Sequence, residues 1–400
     1  MRKAFGHRSL KSTCGCTDSV FFESMSALLS GEALQSLETQ IRERLSSDPA
    51  IRSSLIDREL ARTILESPGI ATEDVLRLGE LIRRHFHENR VLVHILNNIR
   101  NGNCAEDCGY CAQRKSAEGV PVYQTKPEDE IMEEARAAKK SGAHRYCLVT
   151  AGRGTSPRMA TKYAELIKRI NDELGMKVCL SAGLINDPET ARILADAGLD
   201  RYNHNLNTSE SHYGEIATTH SYQDRLNTLE HVSSRGISLC SGVIVGMGES
   251  RADLVSVAFE LNRLGAASIP VNFFLPVEGH AVKKPESLTA DDCLKILSVF
   301  RMVNPSAEIR MAAGREVYLA DRQGDGLRVA NSLFVSGYLN VKGSSAEQTI
   351  RLIYENGYRL DEECEKEIVE LRDRMLAAAS ISSDLQMKGI EELRPYQNQR

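Results

Sequence analysis

The run Asn101-Gly-Asn-Cys104-Ala-Glu-Asp-Cys108-Gly-Tyr-Cys111-Ala-Gln113 contains three cysteines in a CxxxCxxC spacing. Iron–sulfur clusters usually take four cysteine ligands, so a compact set of three predicts a four-iron cluster with one iron left open to a small molecule. A zinc site or plain buried thiols are the alternatives. Zinc sites commonly combine a CxxC pair with a second pair of Cys or His downstream, and no such pair closes this one.

The composition is that of an enzyme rather than a nucleic-acid-binding or membrane protein. The chain has 400 residues, of which 42% are hydrophobic, and a formal charge of −5. It can therefore bury a large core, and it has no basic footprint for nucleic acid. No apolar run approaches the roughly 20 residues that span a bilayer. The ten cysteines are scattered through a large charged chain, which predicts reduced thiols and a cytoplasmic location.

Short β-branched runs alternate with amphipathic helical stretches from about Val91 onward. Eight strands are predicted, at Val91–Ile95, Arg145–Thr150, Lys177–Ser181, Arg201–Leu206, Ser238–Val245, Ser268–Phe274, Glu308–Met311 and Leu333–Tyr338. Helices are predicted between them, at Glu128–Lys140, Met159–Leu174, Pro188–Ala197, Tyr222–Ser234, Arg251–Leu264 and Ala290–Val303. Eight alternating units predict an α/β fold, a closed (β/α)8 TIM-type barrel, with a doubly wound open sheet as the alternative.

The two ends of the chain differ from this central part. The basic, acid-poor start is typical of a transit peptide, which is the alternative. Because the basic stretch is short and acidic residues return by Glu23, residues 1–45 are instead expected to be a disordered or atypical extension. Helices are expected over Gly31–Leu45, Asp57–Leu65 and Ala71–His85. We place N-terminal helices at 46–90, the barrel at 91–358 and a C-terminal helical tail at 359–400.

Three further cysteines, Cys147, Cys179 and Cys240, each fall inside a predicted strand. Alternate residues of barrel strands point inward, so three cysteines of suitable phase would converge in the lumen. Arg310 lies in another predicted strand, where burial without a partner is costly. A cluster of thiolates and sulfides would be such a partner. Taken singly, a strand cysteine is more often a small buried hydrophobe. We interpret Cys293 and Cys364, which lie in predicted helices, in the same way. No role is assigned to Cys14 and Cys16.

Five stretches together resemble the biotin synthase family, and they occur in the family's order and intervals. They are Asn97–Gln113, Tyr202–Ser209, Cys240–Glu249, Ser268–Phe273 and Ile309–Glu316. The resemblance extends from about Arg83 to Glu355. It implies a homodimeric radical S-adenosylmethionine enzyme that inserts sulfur into dethiobiotin, the last step of biotin synthesis. An electron donor such as flavodoxin or ferredoxin is implied as well.

The resemblance also implies the role of each matched residue. The ligands of a [4Fe-4S] cluster are Cys104, Cys108 and Cys111, and those of an auxiliary [2Fe-2S] cluster, the sulfur donor, are Cys147, Cys179, Cys240 and Arg310. The residues expected at S-adenosylmethionine are Tyr110, Asn207, Arg225, Gly242, Ile244 and Gly246, and those at dethiobiotin are Asn205 and Asn272. Asn207 stands where some members carry Asp, and Ala105 replaces a common Pro.

Two other classes of function stay open on the sequence. A radical barrel without sulfur insertion, such as a hydrogenase maturase or methylornithine synthase, would keep the first three cysteines without needing the strand cysteines. A non-catalytic iron–sulfur carrier would explain the cysteines but not Arg225 or the Asn-rich strand ends.

Overall fold

The structure, a computed structural model, describes residues 31–117, 119–277, 280–283, 287–335, 337–368 and 385–397. Within these ranges lie nine strands, β1 to β9: Leu92–Arg100, Arg145–Thr150, Lys177–Ser181, Arg201–Asn203, Ser238–Cys240, Val243–Val245, Ser268–Phe273, Glu308–Met311 and Ser332–Val335. The helices of these ranges are Glu32–Ser47, Arg58–Glu66, Thr72–His87, Glu128–Lys140, Pro157–Leu174, Pro188–Asp196, Tyr213–Ile216, Tyr222–Ser233, Arg251–Arg263, Ala290–Val303, Arg315–Tyr318, Gln323–Leu327, Ala346–Glu355, Glu362–Glu367 and Ile390–Leu393, with a 3-10 turn at Ala320–Arg322.

The strands form one closed barrel. Their order is β5-β4-β3-β2-β1-β9-β8-β7-β6, every pairing is parallel, and a further β5–β7 pairing closes the ring. Because β5 and β6 follow each other along one strand position of the barrel, they count as one. We call each such position a stave, and the barrel therefore has eight staves. The predicted (β/α)8 fold is therefore confirmed, and the open-sheet alternative is excluded by the closure.

The split between β5 and β6 has a local cause. The sequence predicted a single strand over Ser238–Val245, but the ladder is interrupted at Ser241 and Gly242. Pro270 lies in the neighbouring strand β7 and has no backbone N–H to donate across the gap. The backbones are so close here that a Cβ on Gly242 would lie 1.9 Å from the carbonyl oxygen of Pro270. A glycine is required at this position for steric reasons.

Several strand ends also differ from their predicted positions. The predicted strand Val91–Ile95 continues to Arg100. The polar side chain of Asn97 can lie inside the fold because it has hydrogen-bond partners there. Its side chain donates to the hydroxyl of Tyr146 at 2.6 Å and accepts from Lys126 at 2.7 Å. Hydrogen-bond partners that are distant in the sequence cannot be predicted from the spacing of apolar residues.

The N-terminal helices pack on the outside of the barrel. Thr72–His87 lies against Ala290–Val303, and Arg58–Glu66 lies against Arg251–Arg263. The expected boundary at residue 45 falls inside the helix Glu32–Ser47. Residues 1–30, with Cys14 and Cys16, lie outside the described residues. Of the tail at 359–400, residues 369–384 and 398–400 also lie outside them. None of the helices in the described ranges is long and apolar enough to cross a lipid bilayer.

Arg301 fastens the connections at the amino-terminal end of the barrel. It is fully buried in the helix Ala290–Val303. Its guanidinium donates to the carbonyls of Pro305 and Ala307 at 2.9 and 2.7 Å and to Asn331 Oδ1 at 2.7 Å. Its Nε donates to the carbonyl of Val329 at 2.9 Å.

Replacing Arg301 by Met is expected to destabilise the fold by at least about 3 kcal/mol, because four buried acceptors lose their donor. The thermal-unfolding midpoint of the protein measures this loss. Arg62→Met is the matched control: Arg62 is exposed and pairs with Glu66 within one helix, and such a pair contributes under about 1 kcal/mol. Equal midpoints for the two variants would contradict the role given to Arg301.

Candidate active site

The cysteine motif forms a loop over the carboxyl ends of the barrel strands. It follows β1, and Cys104 and Cys108 are buried while Cys111 is half-buried. The backbone N–H of Cys104 donates to the carbonyl of Gln113 at 2.9 Å, which closes the loop on itself. All three cysteines line one cavity of about 180 Å³, together with strand-end residues of β2, β3 and β4. We call this space the mouth cavity.

Asp107 fixes the loop to the segment that follows the helix Tyr213–Ile216. Its carboxylate accepts the backbone N–H groups of Thr218 and Thr219 at 3.0 and 3.2 Å, and both hydroxyls as well. Partial burial opposes ionisation, but these hydrogen bonds outweigh it and hold the pKa of Asp107 below its ordinary value. The position of the cysteines is thereby set by charge-assisted hydrogen bonds.

The three thiols suit an iron–sulfur cluster better than a single zinc ion. Burial raises the pKa of Cys104 and of Cys108, and it raises that of Cys111 to about 12. The thiolate form at this place therefore needs a metal. Tetrahedral zinc would hold three sulfurs about 3.8 Å apart, whereas among the described residues at least one pair of these three sulfurs is more than 4.8 Å apart. A larger polynuclear cluster accommodates that spread.

Arg225 brings a buried positive charge to the mouth cavity. Its side chain donates to the carbonyl of Asn205 at 2.8 Å, to the hydroxyl of Tyr110 at 3.2 Å and to that of Tyr213. In the part of the chain that the structure describes, no carboxylate lies within 4.0 Å of it. A buried guanidinium with neutral partners is a binding position for an anion such as a ligand carboxylate.

His220 connects Arg225 to the cysteine loop. Its Nε2 lies 3.0 Å from Arg225 Nη2, and its Nδ1 lies 2.6 Å from Glu106 Oε2. Because a guanidinium has no acceptor, Nε2 must accept and Nδ1 must carry the hydrogen. Burial and the charge of Arg225 lower the pKa of His220, in keeping with a neutral ring. Sequence reasoning missed His220, Glu106 and Tyr213, and no spacing in the sequence indicates that they meet.

Tyr110 and Asn207 lie beside Arg225. The side-chain amide of Asn207 donates to the Tyr110 hydroxyl at 2.5 Å, and Asn207 has a φ of 71°, in the left-handed region that Asn tolerates. Its backbone bonds on both sides to the next stave, accepting from the N–H of Ile244 at 2.8 Å and donating to the carbonyl of Gly242 at 3.0 Å.

The remaining residues predicted at the cofactor are divided. Gly242 and Ile244 are joined to Asn207 but do not line the mouth cavity, and Gly246 lines a separate cavity with Glu249. The Glu249 carboxylate accepts the backbone N–H groups of Gly246 and Met247, each at 2.7 Å. Of the residues matched to the cofactor, Tyr110, Asn207 and Arg225 therefore line the mouth cavity, Gly246 lines the second cavity, and Gly242 and Ile244 line neither of the two.

A second cysteine set lies deeper in the barrel. Cys147 and Cys179 are register partners on β2 and β3, and Cys240 ends β5. The three side chains pack together with Ala312 and Phe334, apart from the main core. Among the described residues they too do not form a group within 4.8 Å. Their phase in the strands therefore brings them into the lumen, as the alternation predicted.

Arg310 faces this second set. Its Nη1 lies 3.8 Å from Cys240 Sγ, and its guanidinium carbon lies 4.8 Å from the centre of the Phe334 ring. Its Nε donates to Ser332 Oγ at 2.9 Å, and its Nη2 donates to Ser268 Oγ at 2.9 Å and to Glu308. Arg310 is therefore held from behind while one nitrogen points to the cysteines.

Glu308 is the common partner of the charges beneath the second set. Its carboxylate lies 2.5 Å from Arg201 Nη1, 3.5 Å from Arg145 Nη1 and 2.8 Å from His94 Nε2. Burial alone would raise its pKa, but the charge of Arg201 and the other neighbours hold the pKa well below its usual range. Three arginines share Glu308, and Asp200 accepts from Arg145 Nε at 2.6 Å, so three positive charges face two carboxylates and leave a positive field suited to thiolates and sulfides.

The two asparagines predicted at the substrate differ in availability. Asn205 lines the mouth cavity, as does Asn203, whose amide donates to Cys240 Sγ at 3.2 Å. Asn272 donates to the carbonyl of Val243 at 3.0 Å and accepts from the N–H of Ala313 at 3.2 Å. Its amide is thus already bonded to the backbone of two neighbouring staves.

Tyr338 lies between the two cysteine sets, lining the mouth cavity and packing against the deeper cluster. Sequence reasoning placed it at a strand end without a role. Cys293 is buried in the helix Ala290–Val303, as expected for a small hydrophobe.

Two family profiles match the chain over most of the barrel. The Radical SAM superfamily matches residues 98–261, and the Biotin and Thiamin Synthesis associated domain matches residues 270–359. Solved structures of similar fold include methylornithine synthase, with a TM-score of 0.65 at 19% identity over 83% of this chain and 99% of that one. The FeFe-hydrogenase maturase from Carboxydothermus hydrogenoformans has a TM-score of 0.65 at 13% identity over 84% of both chains. At such identities they show the fold alone.

Curated relatives are much more similar in sequence. The biotin synthase of Leptospira biflexa is 56% identical over 77% of this chain and 86% of its own length. That of Magnetococcus marinus is 44% identical over 78% of this chain and 97% of its own. Identity at this level, across nearly the whole of each relative, means that the chain belongs to the biotin synthase family of radical S-adenosylmethionine enzymes.

Proposed function

We propose that this enzyme inserts sulfur into dethiobiotin to give biotin, with an auxiliary cluster held by the second cysteine set as the sulfur donor. The observation that carries the proposal is the presence of two separate cysteine sets in one barrel lumen, one at the mouth and one deep inside. A radical enzyme without sulfur insertion has no need of the deeper set. A simple iron–sulfur carrier has no need of the anion position at Arg225.

Family membership brings a [4Fe-4S] cluster and S-adenosylmethionine, and Cys104, Cys108 and Cys111 would hold that cluster. Three protein ligands leave one iron open to the cofactor. Together, the bound groups supply the radical that removes hydrogen from an unactivated carbon, which acid–base side chains cannot do. The chain contributes position: Asp107 fixes the loop, and burial keeps solvent from the thiols.

Arg225 would bind the cofactor carboxylate through its planar fork. Its present partners are all neutral, so an incoming anion would meet an uncompensated charge. His220 would keep this guanidinium aligned with the cysteine loop, and Tyr110 and Asn207 would complete the polar wall beside it.

Cys147, Cys179, Cys240 and Arg310 would hold the auxiliary [2Fe-2S] cluster, which would supply the sulfur of the product. The buried network around Glu308 keeps Arg310 charged and oriented. Asn205, together with Asn203 at the strand ends, would orient dethiobiotin between the two sets. Asn272 would act chiefly by holding β6 against the turn at Ala313.

The family resemblance also suggests a homodimer, a small electron carrier such as flavodoxin or ferredoxin, and a cytoplasmic location.

Replacing Cys104, Cys108 or Cys111 by Ala is expected to abolish reductive cleavage of S-adenosylmethionine, because the open cluster loses a ligand. Methionine and 5′-deoxyadenosine are measured after anaerobic reduction. Cys293→Ser is the matched control and should cleave at the wild-type rate. Cleavage at the wild-type rate by any of the three Cys→Ala variants would contradict the assignment of these cysteines as cluster ligands.

Sulfur transfer is tested by loading the auxiliary cluster with labelled sulfide and following a single turnover with dethiobiotin. Label is expected in biotin, and Cys147→Ala or Cys179→Ala should form none while still cleaving the cofactor. Arg310→Met should retain part of the activity, since guanidinium is a weak ligand. Unlabelled biotin from an intact labelled cluster would refute the proposed sulfur source.

Variants of Arg225 and His220 test the proposed binding of the cofactor carboxylate at Arg225. Arg225→Met should weaken S-adenosylmethionine binding by roughly 1.5–3 kcal/mol, about tenfold or more. His220→Asn, which loses the acceptor for Arg225, should weaken it in the same direction. His220→Gln, which places an amide oxygen near Nε2, should preserve most of the affinity. Calorimetry on the anaerobic cluster-loaded protein measures each value.

Iron content controls for cluster loss and should be equal in all three variants. Unchanged affinity in Arg225→Met would reject the carboxylate contact. Unchanged affinity in His220→Asn alone would reject only the positioning role of the imidazole.

A further inference from the structure

A separate group of metal-binding side chains lies at the opposite end of the barrel from the mouth cavity. Among the described residues, His144, Asp361 and Cys364 form a group whose ligand atoms all lie within 4.8 Å of one another. His144 directly precedes β2, whereas Thr150 at the other end of that strand lines the mouth cavity. Six strand residues separate the two ends by roughly 20 Å.

The distances within this group are close to those of a tetrahedral zinc site. Asp361 Oδ2 lies 2.8 Å from His144 Nδ1 and 3.5 Å from Cys364 Sγ. Zinc bonds to imidazole, carboxylate and thiolate correspond to edges of about 3.4 Å for N–O and about 3.6 Å for O–S. The N–O pair would therefore have to open by about 0.6 Å to admit an ion, whereas the O–S pair already has nearly the required separation.

The fold already holds the three donors in place. The other carboxylate oxygen, Asp361 Oδ1, accepts the backbone N–H of Cys364 at 3.1 Å and so leaves Oδ2 for a metal. Behind the cysteine, Ile368 packs so closely on Gly142 that a Cβ there would lie 2.5 Å from the isoleucine Cγ2. The ligands from the C-terminal segment and from the barrel are thereby fixed relative to each other.

Two of the three donors face a cavity from which an ion could enter. His144 and Asp361 line a cavity of about 620 Å³ at this end of the barrel. Glu362, Glu363 and Glu365 lie around the same cavity, and Arg90 and Arg359 partly balance them. With three protein ligands, a water molecule from the cavity would complete four-coordination.

The mixed donor set selects the kind of metal. Magnesium and calcium prefer oxygen ligands alone, whereas a thiolate, an imidazole and a carboxylate together suit zinc. Binding replaces the thiol proton of Cys364 by the metal, and the released proton passes to solvent.

We propose that His144, Asp361 and Cys364 bind one zinc ion, which clamps the C-terminal segment at 361–368 to the amino-terminal end of the barrel. The site is distinct from both cysteine sets of the proposed reaction. Without zinc, the same residues make only a helix cap and a His–Asp hydrogen bond, and the experiment separates these two interpretations.

The test uses the cluster-loaded enzyme, equilibrated anaerobically with buffered zinc and freed of unbound metal by gel filtration. We expect one zinc per chain in addition to the cluster iron. His144→Ala, Asp361→Asn and Cys364→Ser should lose it, with iron content unchanged. Asn still caps a helix, so Asp361→Asn removes the ligand while keeping the cap. Cys293→Ser, another buried cysteine, should retain the zinc.

Zinc-edge X-ray absorption supplies a second readout that iron does not disturb. The wild-type spectrum should fit one sulfur at about 2.3 Å and nitrogen or oxygen neighbours at about 2.0–2.2 Å. Zinc should raise the thermal midpoint of the wild type but not that of Cys364→Ser. Zinc-free wild-type enzyme, or equal zinc in the wild type and all three ligand variants, would overturn the proposal.

Discussion

The carboxylate of Glu308 is the interaction on which the interior of the barrel depends. Arg145, Arg201 and Arg310 all converge on it, and so does His94. Buried guanidinium groups without such a partner would be very costly. Glu308 and Asp200, which pairs with Arg145 at 2.6 Å, offset two of the three arginine charges, so the floor of the cysteine-lined lumen keeps a positive charge. The deeper cysteine set and its charged neighbour both rely on that arrangement.

The mouth of the barrel is organised by the opposite principle. There a buried arginine, Arg225, has neutral partners, and the neutral ring of His220 holds its orientation. The arginines of the floor thus have carboxylate partners within the fold, whereas Arg225 at the mouth has none within 4.0 Å among the described residues and is available to a negative ligand. This contrast between the two ends of one lumen agrees with a resident cluster deep inside and an exchangeable cofactor at the entrance.

Backbone constraints connect the two levels. The interruption of the ladder beside Pro270 brings Gly242 against the neighbouring stave, and Asn207 bonds to both sides of that interruption. Asn203 and Tyr338 contact both regions, the first through Cys240 and the second by packing. A substrate held between the two cysteine sets would therefore be positioned by residues that contact both the mouth cavity and the deeper set.

The sequence by itself determined the fold class, because the alternation of strands and helices is local and repeats eight times. It also identified the cysteines of both sets, since CxxxCxxC spacing and strand phase are visible along the chain. Only the tertiary structure decided which polar residues meet. Glu106 lies 114 residues before His220, which it contacts beside Arg225, and the side chain of Asn272 turned out to be bonded to backbone. Closure of the barrel sets such contacts, and they depend on three-dimensional distance, which no spacing in the sequence encodes.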